Sequence, residues 1–205
     1  MKRKLLLLSV MVICIAIAAA GTLAFFNGDA TAHNVITTGK VGIALHEKDA
    51  DGNKFEDKTG VMPGASIDKI VTVENTGTAP AWIRVKLTPT ITLDANNPTK
   101  LPEGTAPDTT LVQLVTDTTG VWEYNQTDGY YYYTKKLEAG KTTDPAVLTK
   151  VTFAASMGNA YQGATATVDV LAQAVQCANN GTSAQTASGW PADNTKGGLD
   201  TGKTG

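Results

Sequence analysis

Across residues 40–178 the apolar positions fall in short runs, most of them alternating with polar or small residues, and Gly, Pro, Asn and Asp separate the runs. A period of two puts successive side chains on opposite faces of an extended chain, so the pattern predicts β-strands and no long helix. Val41, Ile43 and Leu45 alternate with Gly42 and Ala44, and residues 67–73 lead into the turn Asn75-Thr76-Gly77. Residues 82–87 place Ile83, Val85 and Leu87 on one face, expected to meet the core, with Trp82, Arg84 and Lys86 opposite. Residues 121–124 and 130–133 flank a segment ending in Asp128-Gly129, where glycine supplies the positive φ of a hairpin turn. Residues 147–153 and 164–176 are further strands, the last with Val168, Val170, Ala172 and Ala174 on one parity. The expected fold is all-β, an antiparallel jelly-roll-like β-sandwich with an extended N-terminal arm and a flexible C-terminal tail.

Other stretches break the alternation. Pro98, Pro102 and Pro107 lie among Asn, Asp, Gly and Thr over residues 94–110, which predicts a loop, and residues 110–115 are expected to make one or two helical turns. Residues 179–205 are rich in Gly, Ser, Thr, Asn and Ala with Trp190-Pro191 as the only anchor, so at least half of this tail is expected to lack fixed structure. Tyr130, Tyr131, Tyr132 and Tyr133 alternate between the faces of one strand, which predicts that at least one pair is exposed, as a contact surface or as part of an edge hairpin.

The N-terminus has a different character. Lys2, Arg3 and Lys4 precede an uncharged run over residues 5–26, and Thr22-Leu23-Ala24 offers a small-residue cleavage site, the signature of a secretory signal peptide cut between Ala24 and Phe25. The rival reading is an uncleaved anchor; the strongly apolar core, residues 5–20, falls short of the about 20 residues that span a bilayer. The organisation expected is a signal peptide over 1–24, an arm over 25–39, a β-sandwich over 40–178 and a low-complexity tail over 179–205.

Charge and cysteine content narrow the classes of function. The full chain carries 17 Lys and Arg against 19 Asp and Glu; losing Lys2, Arg3 and Lys4 with the leader takes the net charge from −2 to −5. Without clustered cations there is no footprint for nucleic acid. Cleavage also removes Cys14, leaving Cys177 with no intramolecular partner, and a lone cysteine ending an apolar strand is expected to be buried, with an intermolecular bridge as the alternative.

Candidate chemistry is sparse. Asp49, Asp51, Asn53 and Asp57 supply alternating oxygens of the kind that calcium loops use, but Gly52 sits at the fourth loop position and Gly60 replaces the bidentate glutamate, so a solvated acidic turn with at most weak calcium binding is expected and no other cofactor. His46-Glu47 continues as Lys48-Asp49 instead of completing a zinc-protease motif, and neither His33 nor His46 has the context of a catalytic base. Residues 197–204 satisfy the spacing of a phosphate-binding loop by chance, since no strand leads into them.

Three stretches, in order, resemble the TasA/camelysin (CalY) family of secreted proteins processed by the signal peptidase SipW. Residues 21–27 and 33–39 resemble its leader and mature start. Met62-Pro63-Gly64 with the strand ending Glu74-Asn75-Thr76-Gly77 resembles an internal segment of TasA, and Tyr161-Gln162-Gly163 resembles the approach to its final strand. The resemblance implies a jelly-roll-like β-sandwich that assembles into biofilm-matrix fibres of Gram-positive bacteria by donor-strand complementation. Phe25, Phe26, Val35 and Ile36 of the arm would then be apolar pegs entering the next subunit. Residues 94–120 and 179–205 depart from the family pattern. The partners implied are further copies of the chain and the signal peptidase, with an accessory matrix protein as another candidate; the membrane is met only during export. Because camelysin is described as a metalloprotease, a cell-surface metallopeptidase is the rival class, and a monomeric surface-binding module is the third.

Overall fold

The computed structural model describes residues 41–56 and 63–193. The leader, the arm with Phe25, Phe26, Val35 and Ile36, the second half of the acidic segment with Asp57, and residues 194–205 lie outside the described residues. Eight strands follow in order: β1 (Ile43–Lys48), β2 (Ser66–Asn75), β3 (Ala81–Thr92), β4 (Val112–Thr116), β5 (Trp122–Asn125), β6 (Tyr130–Tyr133), β7 (Leu148–Phe153) and β8 (Thr165–Gln176). They form two four-stranded sheets, β1-β2-β7-β4 and β5-β6-β3-β8. Every strand pair is antiparallel, so the protein is the expected all-β sandwich.

The core follows from the alternation. Ile83, Val85 and Leu87 point inward from β3 as their parity requires, and meet Val71 and Val73 of β2 and Leu148, Val151 and Phe153 of β7. The longest pairing joins β3 to β8 over the whole of both strands, from Ala81 opposite Gln176 to Thr92 opposite Thr165. Between residues 110 and 115 the expected helical turns give way to strand: a short 3-10 turn, Thr109–Leu111, is capped by Asp108, and β4 starts at Val112. Leu114 opposite Val151 and Val112 opposite Phe153 show the reason, since pairing with β7 outweighs a helical propensity that Thr and Val barely supply.

The chain passes between the sheets at Asn75. The Asn75 side chain is fully buried, and its amide donates to the carbonyls of Ala79 at 2.9 Å and Leu137 at 2.8 Å while its Oδ1 accepts from the Gly77 backbone at 2.9 Å. Its backbone is engaged as well, N–H to the Lys141 carbonyl and C=O to the Gly140 N–H. Replacing Asn75 with Ala takes these partners from the Ala79 carbonyl and the Gly77 N–H and leaves the Leu137 carbonyl with the Ala81 N–H alone; each group left unsatisfied costs about 1–3 kcal/mol. Asn75→Ala is expected to lower the unfolding free energy by about 3 kcal/mol or more in urea titration, whereas the exposed Asn53→Ala should change it by less than about 1 kcal/mol.

Candidate functional site

Among the described residues, one side of the sandwich is incompletely covered. β1 and β8 are edge strands that approach each other along that side. On β8, Ala166, Val168, Val170 and Ala174 share the inward parity yet are only half-buried, while Ile83 and Val85 on the neighbouring β3 are fully buried. Ile43 and Leu45 of β1 are also half-buried. Pairing of β1 with β2 stops at Lys48 opposite Ile70, so Ser66, Ile67 and Asp68 pair with β7 and have no strand on their other side among the described residues. The resulting opening is lined by Ile67, Val151 and Phe153 from one sheet and Ala166 and Val168 from the other, with Phe55 and Lys69 at its rim. Lys69 is a buried cation whose charge is met by Glu47 at 3.1 Å and by the face of the Phe55 ring at 4.2 Å.

The acidic turn follows β1 directly. Asp49 Oδ1 accepts the backbone N–H groups of Asp51 at 3.0 Å and Asn53 at 2.9 Å, so the carboxylate that would head a calcium loop closes its own turn. Asp51 and Asn53 are exposed, and Asp57 is outside the described residues. Among the described residues no three His, Cys, Asp or Glu side chains cluster so as to hold a metal. His46 lies on edge strand β1 and contacts Glu74 of β2 at 2.7 Å.

A second feature occupies the outer face of the β5-β6-β3-β8 sheet. Arg84 and Gln173 are register partners on β3 and β8, and Arg84 Nε donates to Gln173 Oε1 at 2.8 Å. The guanidinium lies 3.9 Å from the Tyr130 ring centroid and 4.6 Å from that of Trp190, and donates to the Tyr132 hydroxyl at 3.2 Å. The tyrosine run therefore does not leave a pair exposed as its alternation suggested. Tyr130 and Tyr132 are buried on this face, Tyr133 is buried in the core with Trp122, and Tyr131 is half-buried beside Tyr124.

Residues 179–193 cover that face. Patterning gives this segment Trp190-Pro191 as its only anchor within a tail of which at least half is expected to lack fixed structure; the described part crosses the sheet as a strap held at successive points. Trp82 Nε1 donates to the Asn180 carbonyl at 2.8 Å, Ala184 is buried beside Trp82 and Cys177, Gln185 donates to Glu123 at 2.7 Å, and Trp190 packs edge-on to Tyr132. Asp193 closes the strap by accepting from Lys86 at 2.8 Å and from the Tyr130 hydroxyl at 2.5 Å. Gly181 makes the turn possible: its φ is +70°, and a Cβ there would come within 2.9 Å of the Thr186 and Ala187 backbone. Gln173 and Asp193 were not singled out by sequence patterning, Trp190 was named only as the anchor of a polar tail, and Arg84 only as a residue on the face opposite the core. The available signal was the isolated Trp190-Pro191 in an otherwise polar tail and the alternation of Trp82, Arg84 and Lys86.

The electrostatics of the strap have a definite pH dependence. Lys86 and the Tyr130 hydroxyl hold the Asp193 carboxyl below the usual carboxylate range, while burial and the bond to Asp193 push the Tyr130 phenol well up. A carboxyl that ionises more readily when seated than when released contributes to strap attachment fully above its released pKa of about 3.9, and loses that contribution as pH falls through the lower seated value. Acidification below about pH 4 is therefore expected to loosen the strap, seen as a change in tryptophan fluorescence. Asp193→Asn should remove this step and raise the rate of proteolysis within residues 179–193 about two- to fivefold at neutral pH.

Compared with known proteins, the chain matches no family model and no curated relative.

Proposed function

We propose that the chain is an exported structural subunit that assembles into extracellular fibres by strand donation, as its resemblance to the TasA/camelysin family implies. The observation that carries this reading is the side of the sandwich where, among the described residues, the core-parity residues Ala166, Val168, Val170 and Ala174 of β8 are half-buried and β2 has no strand beside Ser66, Ile67 and Asp68. An unpaired edge over an apolar opening is the receptor for an added strand: main-chain hydrogen bonds supply affinity, and pockets at alternate positions supply register. The arm of another copy has the matching character, since Phe25, Phe26, Val35 and Ile36 are apolar pegs within residues 25–39. Donor and acceptor are different surfaces, so the contact is heterologous and propagates. The subunit acts through self-association and requires no catalytic group.

Deletion of residues 25–38 should leave a folded monomer and abolish fibres, because strands β1 to β8 are all retained. Val35→Asp with Ile36→Asp should have the same effect, each charge costing several kcal/mol in an apolar slot. Negative-stain microscopy of the purified chain begun at Phe25 decides the matter: fibres from the intact protein and none from either variant are expected, and fibres of normal length from the deleted protein would exclude strand donation by the arm.

A further inference from the structure

The strap makes no ladder with the sheet beneath it and is recognised instead by side chains on the sheet's outer face. Each anchor has a built counterpart: Trp190 stacks on Arg84, which Tyr130, Tyr132 and Gln173 hold in place; Asp193 meets Lys86 and Tyr130; the Asn180 carbonyl meets the Trp82 indole. Gln173 is 1% exposed and its Nε2 finds no acceptor among the described residues, so the face carries a spare buried donor beside the guanidinium. We propose that this face is a peptide-docking site for a segment with a tryptophan and, three residues on, a carboxylate, and that its partner in trans is the strap of a second copy.

The connection between β8 and the strap permits such an exchange. Between Cys177 and Asn180 the chain makes a single turn, closed by the Asn180 N–H on the Cys177 carbonyl, with Asn179 at φ 54°. Asparagine adopts that left-handed region and the extended region alike, so the backbone at Asn179 permits a closed or an opened connection. In dilute solution the strap's own copy wins, since a short tether gives an effective concentration in the millimolar range. Exchange becomes competitive where copies are held at comparable density, or where the strap in cis is disabled. A vacated face would expose Trp82, Tyr130 and Tyr132 together, which favours recapture of a strap from either source. This proposal does not depend on strand donation by the arm, which concerns the opposite surface of β8's sheet and a different segment.

The test uses the full chain carrying Trp190→Ala with Asp193→Ala, and a labelled synthetic peptide of residues 179–193 as probe. Fluorescence polarisation should show the peptide binding this variant at least about tenfold more tightly than the wild type, whose own strap competes by occupying most of the sites. Adding Arg84→Gln to the variant should abolish the binding. An equimolar mixture of the full-length Trp190→Ala/Asp193→Ala chain with a full-length Arg84→Gln chain should contain a heterodimer by light scattering that neither component forms alone. Near-UV circular dichroism from Trp122 and Tyr133 checks that the sandwich is intact, and the milder Trp190→Leu/Asp193→Asn pair replaces the first variant if it is not. Equal peptide affinity for wild type and variant, or no binding to a folded variant, would overturn the proposal.

Discussion

The two sheets are held in register at one buried amide. Asn75 ends β2, and its side chain bonds the carbonyls on either side of the entry to β3 while its backbone holds the segment that precedes β7. An amide is required because the site needs two donors and one acceptor within a single short side chain, a combination that Asp, Ser and Leu cannot supply. The neighbouring contacts depend on this passage: Ala81 exchanges both backbone hydrogen bonds with Leu137, which opens β3, and β3 then carries both β6 and β8. The buried face of one sheet and the strapped face of the other therefore share an origin in the same turn.

Much of the fold was legible because it rests on alternation. Ile83, Val85 and Leu87 were assigned to the core from parity alone, and β1, β2, β5, β6, β7 and β8 all begin and end within a few residues of the apolar runs that predict them. Where the outcome depended on a distant partner, local reasoning failed. Residues 112–116 carry too little apolar periodicity to announce a strand, and their extended conformation is imposed by β7, far along the chain. The strap was illegible for a related reason: it is held by one indole stack, one carboxylate and a few backbone carbonyls, none of which leaves a periodic trace. The burial of Tyr130 and Tyr132 followed from the strap and was missed with it.

The inner and outer faces of β8 obey different rules. Inward, Ala166, Val168 and Val170 are small or branched apolar residues that remain half-covered at the sheet edge; outward, Gln173 is sealed beneath aromatic rings and an arginine. A strand with such unequal faces resists register slips, because moving by one residue would push a glutamine into the apolar interior and an alanine against the guanidinium. The same asymmetry separates the two surfaces considered above, so that a ligand on one face meets none of the side chains of the other.

Cys177 stands at the root of the strap, where Trp82, Val175 and Ala184 enclose it and burial raises its thiol above the usual range. Reaction of a thiol requires both access and ionisation, and the seated strap withholds both. The sulfur is thereby a natural timer: its rate of alkylation measures how often residues 179–193 lift from the sheet, with no label or mutation introduced. In an oxidising milieu the same shielding would keep copies from joining through this sulfur while the strap is down.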